Sequence, residues 1–345
     1  MNTIKLAIIG LGGMGSYHTG ILSKMPFIEI TGVCDLIEEK AKGIGKKLNV
    51  PWYTDYHKLL DNAEAVWVCT EPFNRRDIVL TCAREGKNIF TEKPIANTIK
   101  TAREMVEAAD KAGVIYMLGY CLRFWNPYVL MKKAFASGEL GELVECWMRR
   151  YMPADMSNYW YGWQEKSGGV MLDLGSHDID WLRWIGGDVD TVFGYEKQVR
   201  PTMHAYDHGS ALMRFAGGGV GSASNSWYSN LNESSIGIVG TKGAIIVERN
   251  GDIRKKIGDG EELLLQEQSA LDINPKGEIG KKNSEGNIRM VEPAGETIHE
   301  HFIRCIHESI KPITPGAEGL KTLATITALH DSVQSGKAVK VGDYL

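Results

Sequence analysis

No apolar run in this sequence approaches the roughly 18 residues that a membrane-spanning helix requires. The opening run at residues 6–9 is cut short by Gly10, and the start of the chain has neither the longer apolar core nor the small-residue cleavage site of a secretory signal. We therefore expect a cytoplasmic protein with no membrane partner.

The chain also has little excess charge and no closely spaced cysteines. Its 39 Lys and Arg residues against 43 Asp and Glu residues leave a formal net charge of −4, which argues against a nucleic-acid partner. Its six cysteines include no Cys-x-x-Cys pair, so we expect thiols in a reducing compartment. A chain of 345 residues, 43% of them hydrophobic, has room for about two domains.

Up to about residue 122, short apolar runs alternate with helix-like stretches, which is typical of βαβ units and a parallel sheet. Later, strand-like runs follow one another with Gly, Asn and Asp turns, which favours a mainly antiparallel sheet. The sequence predicts an α/β fold: a doubly wound domain over residues 1–122 and an α+β domain over residues 123–345. We expect the polar, Gly-rich residues 249–293 to form a long hairpin or loop. The predicted elements include strands at Leu6–Ile9, Ile28–Cys34, Ala65–Cys69, Asn88–Thr91 and Val114–Leu118 and helices at Glu38–Leu48, Val170–Ile185 and Thr297–Ile310.

A glycine-rich turn follows the first predicted strand. Gly10, Gly12 and Gly15 match G-x-G-x-x-G, with Gly13 and Met14 between the last two. In such a loop the first glycine permits the tight turn, the second lets a pyrophosphate approach the backbone, and the third lets helix and strand pack closely. Phosphates would then lie on the helix N-terminus. The pattern predicts a dinucleotide site.

Asp35 stands 20 residues past the last glycine, at the end of the second predicted strand. A carboxylate at this place binds the adenosine ribose hydroxyls. It would repel a 2′-phosphate by about 4 kcal/mol per charge pair at an effective dielectric constant of about 20. None of residues 36–39 is an arginine that could receive that phosphate. We therefore predict NAD rather than NADP as the cofactor.

Three more motifs accompany the glycine loop: Thr91–Pro94 at the end of the fifth predicted strand, Ser167–Asp180, and Ile238–Gly243. Together they make the sequence resemble the Gfo/Idh/MocA family of oxidoreductases over nearly the whole chain. The resemblance implies an N-terminal Rossmann domain and a C-terminal domain with a large open, mainly antiparallel sheet. It also implies a sugar, inositol or related polyol substrate held between the domains, and a homodimer or homotetramer formed through the open sheet.

By the same resemblance, the peptide bond before Pro94 is cis, and Thr70 and Glu92 line the cofactor together with Lys93 and Pro94. One segment departs from the family pattern. The family often has Thr-Pro-Asn…His after the fourth strand, whereas Thr70 is followed here by an inserted glutamate and no histidine over residues 71–76.

Asp173 and His177 are spaced i, i+4, so on a helix they point the same way. Alcohol oxidation needs a base for the hydroxyl proton and a cofactor for the hydride. We interpret His177 as the base, a role worth roughly 10²–10⁴-fold, and Asp173 as orienting it or pairing with Lys93 or a substrate hydroxyl. Lys93 would stabilise the developing oxyanion. It could be the base itself only if its pKa fell from about 10.4 to about 7–8, which Asp173 opposes.

The sequence does not decide which other residues contact the substrate. Tyr120 and Arg123 follow the sixth predicted strand and should face the cleft, although Arg123 could equally brace the domain junction. Trp160 belongs to an aromatic cluster before Asp173. Aromatic rings stack on sugar faces, but core or interface packing explains the cluster as well.

His299, His301 and His307 raise the question of a metal site. They do not share one helical face, so we expect polar surface histidines and no metal. Asp180 extends the stripe that holds His177, and we expect it to be structural.

Three functions remain open. The first is an NAD-dependent dehydrogenase that oxidises a secondary hydroxyl of a sugar, inositol or related polyol. The second is an NAD enzyme that uses transient oxidation for glycoside cleavage or epimerisation, which tightly retained NAD would support. The third is a non-catalytic NAD-binding regulator, and the presence of Lys93, Asp173 and His177 argues against it.

Overall fold

The computed structural model describes residues 2–248, 252–266, 281–282, 288–289 and 295–345. Their chain divides into two compact units. The first holds the chain up to Tyr120 together with Glu296–Leu320, and the second holds the described residues from Cys121 to Gly295 together with Lys321–Leu345. The sequence places residues 123–345 in one domain, whereas the structure returns residues 296–320 to the first unit.

The first unit contains one parallel sheet and the helices that connect its strands. Its strands are β1 (Ile4–Ile9), β2 (Ile28–Cys34), β3 (Trp52–Tyr53), β4 (Ala65–Val68), β5 (Asn88–Thr91) and β6 (Tyr116–Leu118). Its helices up to Tyr120 are α1 (Gly13–Leu22), α2 (Glu38–Leu48), α3 (His57–Leu60), α4 (Arg76–Arg84) and α5 (Ile99–Ala112), and a 3-10 turn spans Pro72–Asn74. The strand order is β3-β2-β1-β4-β5-β6, and all pairs are parallel. The order reverses between β1 and β4, and ligands of such sheets bind at the carboxyl ends beside that reversal.

The local sequence explains these elements. All four residues of β4 are fully buried, as expected where a parallel sheet is covered on both faces. Helix α5 begins after Thr98, whose side chain accepts a hydrogen bond from the amide of Thr101, and ends at Gly113 with a φ of +66°. A serine or threonine cap and a left-handed glycine are the ordinary start and stop signals of a helix.

The second unit is built on a nine-stranded sheet in the order β14-β13-β12-β11-β7-β10-β9-β8-β17, in which only the β7–β10 pair is parallel. The strands of this sheet are β7 (Leu143–Tyr151), β8 (Val189–Lys197), β9 (His208–Phe215), β10 (Val220–Ser226), β11 (Glu233–Gly240), β12 (Gly243–Val247), β13 (Asp252–Ile257), β14 (Leu263–Gln266) and β17 (Val339–Lys340). Two further strands, β15 (Lys281–Lys282) and β16 (Ile288–Arg289), form a separate pair. The helices are α6 (Asn126–Ala136), α7 (Gln164–Ser167), α8 (Gly169–Asp173) and α9 (Gly175–Gly186), and 3-10 turns span Cys121–Phe124, Trp160–Gly162 and Val341–Tyr344. Helix α9 packs against β7 and β10. Along β8, buried residues alternate with exposed ones, so this part of the sheet has one covered and one open face.

The chain then returns to the first unit as α10 (Ile298–Glu308) and continues as α11 (Gly316–Ser335). Helix α10 begins with a capping box in which Thr297 and Glu300 each bond the other's backbone amide. Between the helices, the hydroxyl of Thr314 donates to the carbonyl of Leu118 at 2.8 Å, and the amide of Leu118 donates to the carbonyl of Thr314 at 2.8 Å. These bonds attach the returning segment to the edge strand β6.

The predicted fold class is confirmed: a doubly wound parallel sheet is followed by a large, mainly antiparallel one. The predicted continuous helix over Val170–Ile185 is wrong, because it breaks at Leu174 between α8 and α9. Strands β13 and β14 pair as a hairpin at the start of the predicted excursion, and much of residues 249–293 lies outside the described residues. Within the described ranges, no helix is both long and apolar enough to cross a bilayer.

Candidate functional site

The turn between β1 and α1 forms an open cradle at the carboxyl edge of the parallel sheet. Gly10 has a φ of +85°, and a Cβ there would lie 2.8 Å from the carbonyl carbon of Cys69. A Cβ on Gly15 would clash with the carbonyl oxygen of Gly10. At Gly12, by contrast, a Cβ would meet no atom within 4 Å. The first and last glycines are therefore needed for packing, and the middle one leaves space for a ligand.

The N-terminus of α1 faces this space with uncapped amides. Gly12 is the N-cap residue of α1 and offers no side-chain hydrogen bond to the helix, and the first turn of α1 carries no acidic residue. The amide of Ser16 bonds back to the carbonyl of Gly12 at 2.9 Å. The amides before it, on Gly13, Met14 and Gly15, have no helical acceptor, so they form a site for an anion such as a phosphate.

Asp35 lies directly after β2 and is tied to the cradle. Its Oδ2 accepts the amide of Leu11 at 2.7 Å, and its Oδ1 accepts the amide of Ile37 at 2.8 Å. A carboxylate has about four lone-pair positions, so two remain for the hydroxyls of a ribose. The geometry fits the role that the sequence predicts for this residue.

Thr70 follows β4 beside the cradle, and its amide would lie 2.9 Å from a Cβ on Gly10. Its hydroxyl is buried and has no hydrogen-bond partner among the described residues. Such an orphaned group next to an open anion cradle is what a site for a dinucleotide should contain. NAD fits these residues: its phosphates on the α1 amides, its ribose on Asp35 and another polar group on Thr70.

Glu92, Lys93 and Pro94 follow β5, and the Lys93–Pro94 peptide bond is cis, as the resemblance implies. The carboxylate of Glu92 is turned into the protein. Its Oε1 lies 2.8 Å from Nε2 of His18, and its Oε2 accepts the amide of Lys93 at 3.1 Å. Nδ1 of His18 in turn lies 2.8 Å from Nε2 of His299. A buried polar chain thus runs from α10 through α1 to the backbone of Lys93.

The charges of this chain follow from its surroundings. Burial alone would raise the pKa of Glu92, but the hydrogen bond from His18 and the charges of His18, Lys93 and Arg75 outweigh it and lower that pKa below its usual value. Burial, together with the charge of His18, lowers the pKa of His299 to about 3. Near neutral pH, Glu92 is therefore an anion and His299 is neutral.

Arg75 lies in the loop that departs from the family pattern, and its side chain is 1% exposed. Its Nη1 donates to the carbonyls of Glu92 and Pro94, and its Nη2 donates to the carbonyl of Thr70 at 2.6 Å. The carbonyl ends of β4 and β5 are thereby joined through one guanidinium. Burial lowers the pKa of Arg75, although a guanidinium stays charged in proteins.

Sequence reasoning missed His18, His299 and Arg75 as members of this site. The only sequence signal for Arg75 was the altered loop itself. Nothing in the local pattern pairs His18 with His299, which stands 281 residues later.

In the second unit, Asp173 is the last residue of α8 and His177 lies in the first turn of α9. Leu174 separates the helices but keeps helical dihedral angles, φ −76° and ψ −46°. Its carbonyl accepts the amide of His177 at 3.3 Å, and the carbonyl of Asp173 accepts the hydroxyl of Ser176 at 3.0 Å. Both side chains are half-buried. The pair therefore lies on successive turns, on either side of a helix break.

Buried ion pairs fix α9. Nε and Nη2 of Arg123 donate to the two carboxylate oxygens of Asp180 at 2.9 and 2.7 Å, and these side chains are 4% and 0% exposed. Arg150 pairs with Asp178, which also accepts the amide nitrogen of Asn225 at 2.6 Å. The bidentate bond supports a bracing role for Arg123, inside the second unit, and the structural role expected for Asp180.

The two aromatic residues that the sequence predicts to contact the substrate, Trp160 and Tyr120, differ in their exposure. Trp160 is half-buried and stacks on Tyr161 with ring centroids 3.9 Å apart. Tyr120, which the sequence predicts to face a cleft, is only 1% exposed. Trp160 thus offers more ring surface to a ligand than Tyr120 does.

The expectation of surface histidines on α10 is wrong. His299 and His301 are 4% and 3% exposed, because α10 is buried on more than one of its faces. Nδ1 of His301 lies 2.8 Å from Glu296, and its Nε2 accepts the amide of Ile313 at 3.0 Å. Among the described residues, no three His, Cys, Asp or Glu side chains are grouped to hold a metal ion.

Two family models match the chain. One, described as the oxidoreductase family with an NAD-binding Rossmann fold, covers residues 4–120, and the other, the GFO/IDH/MocA C-terminal domain, covers residues 128–246. This chain belongs to the Gfo/Idh/MocA family. It is an oxidoreductase, its first unit is an NAD-binding Rossmann domain, and NAD is its cofactor.

Curated relatives of this Gfo/Idh/MocA protein span nearly its whole length. It is 23% identical to a myo-inositol 2-dehydrogenase from Thermotoga maritima over 99% of this chain and 100% of that protein. It is 24% identical to an NAD(+)-dependent scyllo-inositol 2-dehydrogenase from Bacillus subtilis over 98% of this chain and 96% of that protein. An oxidoreductase from Agrobacterium radiobacter, solved with NAD+, L-tartaric acid and magnesium, covers 100% of both chains with a TM-score of 0.86 at 21% identity. Because the sequence identity to that structure is only 21%, the similarity shows that the two proteins share a fold.

Proposed function

We propose that this protein is an NAD-dependent dehydrogenase that oxidises a secondary hydroxyl of a sugar, inositol or related polyol. The observation that carries the proposal is the arrangement at the carboxyl edge of the parallel sheet. There the open cradle at Gly12, Asp35 and the Lys93–Pro94 segment follow strands β1, β2 and β5. A lysine at this edge suits the reacting end of a nicotinamide cofactor. The inositol dehydrogenases among the relatives support the substrate class.

In this proposal, Lys93 donates a hydrogen bond to the reacting oxygen and stabilises the negative charge that develops on it. His177 accepts the hydroxyl proton, and Asp173 orients His177 and favours its charged form. NAD would supply the acceptor for the hydride of the carbinol carbon, and this acceptor takes up two electrons and one proton. The second proton, from the hydroxyl, stays on His177, so the step balances.

Binding roles follow the same geometry. Gly10, Gly12, Gly13, Met14 and Gly15 hold the phosphates, Asp35 holds the ribose, and the segment Thr70 with Glu92–Pro94 borders the nicotinamide half. For the substrate we retain Trp160, whose half-buried ring can pack on a sugar face, and we no longer assign Tyr120, which is 1% exposed. We assign Arg123 to the support of α9 rather than to the substrate.

The decisive experiment is a panel of inositols, hexoses, anhydrosugars and glycosides with NAD, followed by the near-ultraviolet absorbance of NADH. We expect at least one polyol to give steady NADH formation. A failure of every member would contradict the proposal. Glycoside cleavage or epimerisation without net NADH, with NAD retained through gel filtration, would favour the transient-oxidation alternative instead.

The variant Lys93→Met tests the assigned chemistry. We expect it to abolish turnover while NADH still binds, because the cradle and Asp35 are untouched. NADH fluorescence titration measures binding, and Lys100→Met, which changes an exposed lysine of α5, is the matched control. Full activity in Lys93→Met would remove the proposed mechanism.

We further propose a homodimer or homotetramer formed through the open face of the large sheet. Phe193 and Leu212 are directly opposite each other on β8 and β9, and they are 47% and 53% exposed. Tyr195, on the same face of β8, is 57% exposed. An apolar patch of this kind on a sheet typically marks a protein interface, and the resemblance favours a second copy of this chain.

A cytoplasmic location is part of the proposal. Cys34, Cys82, Cys146 and Cys305 are buried as thiols. Burial raises the pKa of the Cys82 thiol to about 12, which keeps it protonated and unreactive. Such cysteines suit a reducing compartment.

A further inference from the structure

Arg75 is buried at the carboxyl edge of the parallel sheet, and its guanidinium is bonded to main-chain carbonyls rather than to a carboxylate in the contacts described above. Two of its acceptors are the carbonyls of Glu92 and Pro94. These are the residues immediately before and after Lys93. The peptide group before Lys93 and the peptide group after Pro94 are therefore held by one side chain.

The third acceptor of Arg75 is the carbonyl of Thr70, at 2.6 Å. Thr70 borders the glycine cradle, since its amide would lie 2.9 Å from a Cβ on Gly10. Arg75 thus ties the backbone of Lys93 to the strand end that borders the cofactor site. The amide of Lys93 is held separately, by the carboxylate of Glu92 at 3.1 Å.

Only an arginine suits this position among the cationic side chains. Its planar fork presents five N–H donors in fixed directions, and here it spans the ends of two neighbouring strands. A lysine ammonium is a single point of charge on a flexible stem, so it could hold one of these carbonyls well but not all three at once.

We propose that Arg75 is a positioning residue for Lys93, which fixes the lysine backbone relative to the NAD cradle. The proposal rests on the function proposed above, because it presumes that Lys93 acts on the reacting oxygen. A misplacement of about 1 Å in a catalytic group can cost roughly 10²-fold in rate. Loss of the clamp should therefore lower kcat more than it weakens binding of NADH.

The neighbouring Arg76 provides a matched control. Its side chain is 44% exposed and pairs with Glu104 at 2.5 Å and Asp77 at 2.8 Å. Arg76→Met removes the same chemical group from the next residue without touching the carbonyls beside Lys93. It should leave kcat, NADH affinity and the pH profile as they are in the wild type.

The first measurement is amide hydrogen exchange of the protein without substrate, compared among the wild type, Arg75→Met, Arg75→Lys and Arg76→Met. We expect faster exchange in peptides that cover residues 91–97 in Arg75→Met, because the clamp no longer resists local opening. Arg75→Lys should be intermediate, and it remains measurable if Arg75→Met does not fold. Unchanged exchange in a folded Arg75 variant would overturn the proposal.

The second measurement is the pH profile of kcat with the polyol that the wild type accepts. In the proposed mechanism the Lys93 ammonium and the catalytic base act on the same hydroxyl, so displacing the ammonium should move the acidic limb of the profile to higher pH. We expect kcat to fall by about 10- to 100-fold in Arg75→Met, with NADH affinity within about threefold and a smaller loss in Arg75→Lys.

The two measurements distinguish the positioning role of Arg75 from the proposed dehydrogenase function. A lower melting temperature with unchanged kcat and an unshifted acidic limb would make Arg75 merely structural and overturn the proposal. If the wild type oxidises no polyol, the proposed function fails, while the exchange experiment still decides whether Arg75 clamps the segment around Lys93.

Discussion

The carboxylate of Asp35 holds backbone amides with both of its oxygens, at 2.7 and 2.8 Å. The residue therefore shapes the cradle, and we propose that its charge disfavours a 2′-phosphate. We expect Asp35→Ser to raise the ratio of NADPH to NADH affinity at least about tenfold, which corresponds to about 1.4 kcal/mol. Fluorescence titration with both nucleotides measures that ratio.

The control for this change is Glu39→Ser, which removes an exposed carboxylate from the first turn of α2. We expect this variant to leave the ratio of NADPH to NADH affinity unchanged. An unchanged ratio in Asp35→Ser would refute the ribose role of Asp35.

The buried His299 predicts an acid sensitivity of the fold. Its pKa of about 3 lies below the 6.5 of an ordinary histidine, so below about pH 6.5 the unfolded chain binds a proton there that the folded chain does not. Stability is thus lost as the pH falls from about 6.5 towards 3. Glu92 acts in the same direction at lower pH, because its lowered pKa makes protonation favour the unfolded chain.

We expect the melting temperature of the wild type to fall between about pH 7 and pH 5, and His299→Gln to flatten this part of the curve. Glutamine can still bond His18 but carries no titratable group. His307→Gln, an imidazole removed from the same helix, is the control. Parallel curves for the wild type and His299→Gln would show that this histidine does not titrate on unfolding.

At the level of elements, the glycine turn before α1 separates packing from binding. A Cβ at Gly15 would clash with the carbonyl of Gly10, whereas a Cβ at Gly12 would meet no atom within 4 Å. We expect Gly15→Ala to destabilise the fold by about 1–3 kcal/mol or more. Gly12→Ala should keep the melting temperature and weaken NADH binding, since its methyl group occupies the space left for phosphate.

Thermal denaturation and NADH titration of both variants test this separation. Tight NADH binding by a stable Gly12→Ala protein would place the phosphates elsewhere.

The sequence predicted β2, α2 and β5 with the bounds that the structure shows, because their apolar periods and flanking signals are local. It also predicted the cofactor, from the glycine pattern between a strand and a helix, the position of Asp35 and the lack of an arginine over residues 36–39. The sequence analysis missed the helix break at Leu174, because Leu174 keeps helical dihedral angles and an isolated glycine such as the following Gly175 is tolerated inside a helix. The partners of His18 and Arg75 depend on how distant segments pack, which no local pattern records.

At the scale of the whole molecule, the open face of the nine-stranded sheet predicts the assembly. Leu212→Lys places a charge in the middle of the exposed apolar patch, and we expect it to convert the oligomer to a monomer. Light scattering after gel filtration measures the mass. Phe27→Lys, at a 40% exposed phenylalanine of the first unit, is the control, and a wild type that is already monomeric would contradict the proposed interface.

The return of α10 to the first unit has a consequence for biosynthesis. Phe302 packs edge-on against Trp67 and Phe90, and the His299 ring stacks on Trp67 at 5.1 Å. The nucleotide-binding half therefore cannot complete its core until the ribosome has synthesised most of the polypeptide. A gene fragment that stops after Tyr120 would leave those aromatic faces exposed to solvent. Isolation of the cofactor domain therefore requires that the segment 296–320 be fused to residues 1–120.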